Sequence, residues 1–182
     1  MGPGSAQQSA ADVVEGWFAA HHDLEVERVG GRGWLTVLRG ERKRTIPVHL
    51  DVGAHVLAVQ SFFMRAPDEN EAATYAFLLR RNLRTYVLRF ALSAEGDVLL
   101  LGVLPLHAVT AEELDRMLGQ LLSAADDAFE PALRIGFESY IEREQAWRAR
   151  LGAGGAGGAG GASGGQGSGL RRGSSPSPGA ID

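Results

Sequence analysis

The chain of 182 residues contains no cysteine and no long apolar run, and its first residues do not predict a signal peptide. Without cysteine it can form neither a disulfide nor a thiolate nucleophile, so we expect it to be indifferent to its redox compartment. No apolar stretch reaches the ~18–20 residues that a membrane-spanning helix needs. The sequence therefore predicts a cytoplasmic protein without a membrane partner.

A strong excess of one charge is also missing. The net charge is −4, with acidic and basic residues mixed along the chain, and this balance argues against nucleic acid or an anionic membrane as the main partner. Lys43 is the only lysine among 18 basic residues. Abundant alanine and glycine suggest a GC-rich genome as the cause of this arginine preference, and recognition of carboxylates by arginine is the alternative.

Composition divides the chain into three parts. From Gly152 to Gly169 only glycine, alanine, serine and one glutamine occur, which leaves too little apolar surface to offset the entropy cost of folding. We therefore predict a folded domain over residues 9–151 and a disordered tail over residues 152–182. Residues 1–8 are predicted to be a disordered leader, in which Met1 to Ser5 resemble a cloning remnant.

Hydrophobic periodicity predicts the order helix, four strands, helix, two strands and a long broken helix. The run from Val98 to Leu104 is apolar on both faces, as a central strand is. Thr110 with Glu113 forms a capping box at the start of the last helix, and Pro131 is expected to break that helix near Phe129. The pattern predicts an α+β domain with an antiparallel meander sheet and helices mainly on one of its faces.

The stretch from Ser61 to Leu83 joins the fourth strand to the central helix. Pro67 has no amide hydrogen to donate, so the strand is expected to end before it. Asp68 is predicted to cap the helix, with Glu71 reaching back to the cap amide. Helical spacing then predicts a packed face that comprises Ala72, Tyr75, Ala76, Leu79 and Leu83.

Pro47 interrupts the strand with the clearest alternation, Arg44 to Val52. Because proline donates no hydrogen bond to a ladder, we expect this strand to lie at a sheet edge or to contain a bulge. An edge there would offer backbone amides to the strand of a partner.

Sequence motifs for catalysis are missing from the predicted domain. It has no Gly-x-Ser-x-Gly nucleophile elbow, and the glycine-rich tail lacks the Lys-Ser/Thr of a phosphate loop. His49, Asp51 and His55 flank a predicted hairpin and could meet as metal ligands, whereas polar residues on a solvent face are the ordinary alternative. We predict no enzyme activity, catalytic residue, metal or cofactor, and keep a metal-dependent enzyme built on these three residues as an alternative.

Adjacent Phe62 and Phe63 lie on one predicted strand, so they must point to opposite faces of the sheet. One can fill the core, and the other needs cover from a helix, a second subunit or a ligand. The same question arises for Leu35 and Val37 opposite Trp34, and for Val98 and Leu100 opposite Leu99 and Leu101. The sequence predicts a protein-binding or dimer surface drawn from Phe62, Phe63, Arg65, Leu35, Val37 and Pro47. A helix that covers the second face is the alternative.

Two stretches of the chain resemble the YbjN-domain proteins of bacteria. They are Phe62-Phe63-Met64-Arg65-Ala66-Pro67-Asp68-Glu69-Asn70 and Leu78-Leu79-Arg80-Arg81-Asn82-Leu83. The resemblance covers about Ala10 to Leu151 and continues in Ile46-Pro47-Val48 and Leu104-Pro105-Leu106.

This resemblance implies a fold similar to that of type III secretion chaperones, in a family described as bacterial sensory-transduction regulators. Such chaperones are small α+β domains, often dimeric, that bind extended segments of other proteins. The resemblance thus implies a chaperone-like or adaptor module with a protein or peptide client and no cofactor. A structural or regulatory homodimer without a client is the alternative.

Overall fold

The computed structural model describes residues 3–154. Four α-helices and six β-strands in this part follow the predicted order. Their bounds are α1 Pro3–Ala20, β1 Val26–Val29, β2 Gly33–Leu38, β3 Ile46–Val52, β4 Val56–Met64, α2 Glu71–Arg81, β5 Leu88–Leu92, β6 Val98–Pro105, α3 Ala111–Gly136 and α4 Glu138–Gly154.

All six strands belong to one antiparallel sheet with the order β1-β2-β3-β4-β6-β5. Strands β1 to β4 form a meander, and β6 then pairs with β4 so that β5 becomes the far edge. The predicted fold class, α+β with an antiparallel sheet, is confirmed.

The core lies on one face of this sheet. Every second side chain is buried there, as with Trp34 in β2, Leu50 in β3, Phe63 in β4 and Leu100 in β6. Helices α1, α2 and α3 pack on the same core with Val14, Leu78, Leu114, Met117 and Leu121. The described chain divides into two compact units, one up to Glu144 and one from Gln145, and this core belongs to the first.

Helix α1 begins at Pro3, well before the predicted start at Ser9. Proline is tolerated there because the first amides of a helix have no acceptor within it. Gln7 Nε2 donates to the carbonyl of Gly53 (3.1 Å), which ties the first turns to the β3–β4 hairpin. Residues 3–8 of the expected leader are therefore helical. At the other end α4 continues to Gly154, and the rest of the expected tail, residues 155–182, lies outside the described residues.

The start of α2 differs from the prediction. The helix begins at Glu71 after Asn70, which has φ 51° and makes no side-chain cap bond. The carboxylate of Asp68 instead accepts two hydrogen bonds from Arg65, at 2.5 and 2.6 Å. The capping role predicted for Asp68 is wrong, because the chain needs two more residues to turn from the sheet into the helix.

The packed face of α2 is also shifted from the predicted one. Thr74 and Leu78 are buried, whereas Leu79 is 63% and Leu83 is 87% exposed. Apolar residues occur all round this helix, so periodicity did not single out one face, and the prediction of Leu79 in the core is wrong. A helix of mixed composition is oriented by what it packs against, here α3.

The long helix breaks later than predicted. Helix α3 continues through Pro131 to Gly136, and the interruption is at Phe137, with φ −144°. Proline leaves the carbonyl of residue i−4 without its helical donor. That carbonyl is Asp127, and Arg81 Nη2 lies 3.4 Å from it as a long hydrogen-bond donor. A partner from α2 thus compensates in part for the missing amide, and the helix passes Pro131 intact.

Strand β3 lies inside the sheet between β2 and β4, so the predicted edge position of Pro47 is wrong. Pro47 retains Val37 of β2 as its partner residue. The β3–β4 ladder comprises only His49 to Val52 on the β3 side, so Pro47 lies beyond its end. The missing amide therefore interrupts no pairing with β4, and no bulge is needed at this point of β3.

Candidate protein-binding face

Helices α1, α2 and α3 all pack on the core, and they leave the second face of the sheet open. The side chains that alternate with the core residues of β2, β3, β4, β5 and β6 form this surface, which we call the open face. Its most exposed large apolar residues are Leu35, Phe62 and Val103, with 37%, 43% and 57% of their surface accessible. Isolated apolar residues are ordinary on a protein surface, whereas contiguous ones mark interaction sites.

Cross-strand register joins the apolar residues of the open face into a row. Val37 pairs with Pro47, Phe62 pairs with Leu99, and Leu99 pairs in turn with Ala91 of the edge strand. Extending the β3–β4 register two residues beyond the His49–Gln60 pair places Pro47 opposite Phe62, with no ladder pairing between them, so the row runs from β2 to β5. This row is apolar from one end to the other.

A second row beside it is mixed. Leu35 pairs with His49, His49 with Gln60, and Gln60 with Leu101, which pairs with Arg89. The polar residues of this row supply hydrogen-bonding groups next to the apolar row. An apolar strip bordered by polar side chains is the usual composition of a surface that binds protein.

Four of the six predicted surface residues meet on the open face: Leu35, Val37, Pro47 and Phe62. Phe63 does not, because it is only 1% exposed and its ring meets Phe90 edge-on at 5.0 Å. Arg65 lies on the helix side of the sheet, with its guanidinium 4.5 Å from the ring centre of Phe137. Phe63 and Arg65 are therefore removed from the predicted surface.

The predicted surface residues include neither Leu101 nor Val103 of β6, although the sequence raises the question of cover for Leu101. The signal for them is the run from Val98 to Leu104, whose apolar residues on both faces indicated a central strand. Strand β6 is indeed central, between β4 and β5. Because only one face of the sheet is covered, the second set of apolar side chains of a central strand becomes exposed.

The corner after β4 has a structural role. The amides of Asp68 and Glu69 donate to the carbonyl of Gly136 at 3.0 and 3.2 Å, where α3 ends. The carboxylate of Glu69 accepts from the hydroxyl and the amide of Ser139, both at 2.6 Å, and so caps the start of α4. These hydrogen bonds hold the pKa of Glu69 below its usual value. The corner from Arg65 to Asn70 thus stabilises, through hydrogen bonds, the junction where α3 ends and α4 begins.

His49, Asp51 and His55 are not brought together. His49 and Asp51 lie on the open face of β3, while His55 is exposed in the turn before β4. In the part of the chain that the structure describes, no three histidine or acidic residues are arranged to hold a metal ion.

Side chains cover part of the outward backbone of the edge strand β5. At β5, the side-chain amide of Asn82 accepts from the N–H of Phe90 (2.7 Å) and donates to its carbonyl (3.2 Å). Arg89 Nη1 donates to the carbonyl of Leu88 at 2.6 Å. These contacts occupy three outward groups that a partner strand would use, the Phe90 amide and carbonyl and the Leu88 carbonyl, and covering such groups is a common way to protect an edge. Strand addition next to Pro47 is likewise excluded by the internal position of β3.

Together these features define a small α+β domain with one covered sheet face, one open apolar face and a blocked edge at β5. The chain belongs to the YbjN family, described as "Putative bacterial sensory transduction regulator", which it matches over residues 10–134. The resemblance inferred from the sequence is thus confirmed.

Relatives in mycobacteria share most of the chain. An uncharacterized protein of Mycobacterium tuberculosis (strain H37Rv) is 42% identical over 147 residues, which are 80% of this chain and 78% of that protein. One of Mycobacterium leprae is 40% identical over 147 residues, 79% of this chain and 80% of that protein. Among solved structures, the chain is similar to the Yersinia pestis type III secretion chaperone SycH, which was solved in complex with a stable fragment of YscM2. The TM-score is 0.46 and the sequence identity is 21%. The match covers 64% of this chain and 96% of that chain.

None of the helices within residues 3–154 combines the length and the apolar character that crossing a membrane requires.

Proposed function

We propose that this protein is a cytoplasmic, non-catalytic adaptor or chaperone-like module that holds a segment of another protein against its open face. The observation that carries the proposal is the apolar row from Val37 to Ala91, with Phe62 exposed within it. Membership in a family described as sensory-transduction regulators supports a role in bacterial regulation. The predicted absence of enzyme activity belongs to the same proposal.

Contact with the face itself is the expected mode of binding. Asn82 and Arg89 occupy the outward backbone groups of β5, so a client cannot pair there without displacing them. A client segment instead places apolar side chains against Phe62 and Leu99. The polar groups of His49 and Gln60 next to them then supply hydrogen bonds that fix the position of the segment.

A homodimer is the second candidate, because the same exposed row could be buried by a second copy of the chain. The two candidates predict different behaviour of the purified protein. A dimer buries Phe62 without any other protein, whereas an adaptor remains monomeric until its client is present. Multi-angle light scattering over a range of concentrations distinguishes them.

Site-specific photocrosslinking in the native host tests the proposal directly. A photoreactive phenylalanine at position 62 is expected to crosslink to a discrete client, because this position lies in the apolar row. The matched control carries the same group at Tyr140, which is 53% exposed but lies in α4. A client peptide is then synthesised and titrated against the purified protein and its Phe62→Ser variant.

The expected result is a product specific to position 62 and a loss of peptide binding in Phe62→Ser. Equal products at both positions would contradict a client site on the open face. A product that is a second copy of this chain, together with dimers in light scattering, would establish the homodimer instead.

A further inference from the structure

A cluster of arginines lies at the end of α2, away from the open face. Arg80, Arg81 and Arg84 fall within five consecutive residues of a chain whose net charge is −4. Ion pairs with a carboxylate are made by other arginines, namely Arg28, Arg42, Arg65 and Arg116, but by none of these three within the described residues. Three cations without a paired carboxylate repel one another, and the terminus of a helix compensates for only part of that cost.

Two of these arginines line a surface pocket of about 370 Å³ between the end of α2 and α3. Arg81 is half-buried and is held in place, since its guanidinium lies 5.1 Å from the ring centre of Phe77 and 3.4 Å from the carbonyl of Asp127. Arg84 lines the same pocket, is exposed, and makes no hydrogen bond to another described residue.

Gln120 adds a further donor to the pocket. Its Oε1 accepts from the amide of Tyr86 at 2.9 Å, which fixes the orientation of the side chain. Its Nε2 group has no hydrogen-bond partner among the described residues and lines the pocket with both arginines. Asp127, Thr85 and Ser123 also line the pocket, but the Asp127 carboxylate is paired with Arg42 at 3.0 Å and the two hydroxyls donate to backbone carbonyls. The groups left for a ligand are mainly donors, so the pocket suits an anion.

We infer that this pocket binds the carboxylate side chains of an acidic protein segment. A guanidinium matches a carboxylate with two parallel hydrogen bonds, and Phe90 and Ala124 give the methylenes of a glutamate an apolar wall. Phosphate sites commonly use the amides at a helix N-terminus. Here the pocket lies at the C-terminus of α2, where the dipole is negative and disfavours a doubly charged phosphate more than a carboxylate.

This binding site is separate from the function proposed above, since it lies on the helix side of the sheet. The two can therefore be tested independently. The probe is a fluorescein-labelled peptide of alternating glutamate and glycine, titrated with the full chain in fluorescence anisotropy at low ionic strength. Affinity is expected to fall as salt is added, because exposed charges are screened.

The Arg81→Gln/Arg84→Gln double variant is expected to weaken peptide binding by about tenfold or more, since charge-assisted hydrogen bonds are lost. The matched control is Arg32→Gln/Arg39→Gln. It removes the same charge from the residues that flank β2, and in the strand order β2 lies near the edge opposite β5. This control is expected to change the affinity for the peptide by less than about twofold. Arg84→Gln alone should weaken binding without lowering the melting temperature, because Arg84 makes no hydrogen bond to another residue within 3–154.

Three results would overturn the inference. An equal loss of peptide affinity in the control double variant would show that the peptide is held only by general attraction between opposite charges. Loss of binding in Phe62→Ser would place the peptide on the open face. Displacement of the peptide by inorganic phosphate at lower concentration than by free glutamate would assign the pocket to phosphate instead.

Discussion

Phe62 and Phe63 are neighbours with opposite environments. Phe63 is 1% exposed and contacts Phe90 and Phe129 edge-on, at ring-centre distances of 5.0 and 6.1 Å. Phe62 is 43% exposed on the other face. We expect Phe63→Ser to lower the free energy of unfolding by about 3–5 kcal/mol and Phe62→Ser, which removes a partly covered ring, to lower it by about 1 kcal/mol. Urea unfolding monitored by circular dichroism measures both, and equal losses would show that the second face is covered.

Asp126 contributes to the pH dependence of the free energy of unfolding. Burial alone raises the pKa of this carboxyl, but hydrogen bonds from the amides of Lys43, Arg42 and Glu41, and the Arg42 guanidinium, outweigh burial and leave the pKa below its usual value. The amides of Arg42 and Lys43 lie 2.7 and 2.8 Å from Oδ1. A lowered carboxyl pKa stabilises the fold above the unfolded-state value, and that stabilisation is lost as pH falls through the folded value.

The wild type is therefore expected to be more stable than Asp126→Asn near neutral pH, and its advantage should shrink below about pH 4, near the unfolded-state pKa of aspartate. Urea midpoints for both proteins between about pH 7 and pH 3 measure this difference. Asp127→Asn is the control, because its carboxylate is exposed and binds only the Arg42 side chain in the described residues. A difference that stays constant with pH would mean that Asp126 acts through packing alone.

Among the secondary-structure elements, α3 contains two glycines with opposite surroundings. A Cβ atom at Gly136 would lie 2.8 Å from Pro67 Cβ and 3.2 Å from Thr74 Oγ1, whereas one at Gly119 would meet nothing within 4 Å. Gly136→Ala is expected to cost about 1–3 kcal/mol through overpacking. Gly119→Ala should stabilise by about 0.5–1 kcal/mol, since alanine favours a helix. Thermal melts of the two variants decide this, and a stabilised Gly136→Ala would show that the corner after β4 is loosely packed.

Asn82 decides whether the edge of β5 is available to other strands. Its amide satisfies both outward backbone groups of Phe90, so Asn82→Ala is expected to cost about 1–3 kcal/mol. The Phe90 amide should then exchange its hydrogen faster, while Leu100 on the next strand keeps its protection. Leu83→Ala is the control, because that side chain is 87% exposed. Unchanged exchange at Phe90 would mean that Asn82 does not protect this edge.

The sequence predicted the order of the elements and the opposite orientation of Phe62 and Phe63, because alternation and helical spacing depend on local chemistry. It did not predict the role of Asp68 or the buried face of α2. Both are decided by α3, which is distant in sequence and contributes the Gly136 carbonyl and the packing surface. Part of the open face could be predicted from adjacent apolar residues on one strand. Its full extent could not, since it depends on where the helices pack.

At the scale of the whole molecule, stability is expected to reside in the unit that ends at Glu144. The buried core extends from Ala10 to Phe137, and Ile141 packs partly against it. Phe137 is 5% exposed, and Ser139 binds the carboxylate of Glu69. Removal of residues 155–182 should therefore leave the melting temperature unchanged.

A shorter chain that lacks residues 137–182 is the matched comparison. It loses the Phe137 ring from the core and the hydrogen bonds between Glu69 and Ser139. The melting temperature is expected to fall by roughly 6–20 °C, as loss of a buried phenylalanine costs about 3–5 kcal/mol. Differential scanning calorimetry of the full chain and both truncations measures these shifts. A clear fall on removing residues 155–182 alone would show that this segment contributes contacts to the domain, with Leu170 and Ile181 as the side chains to substitute next.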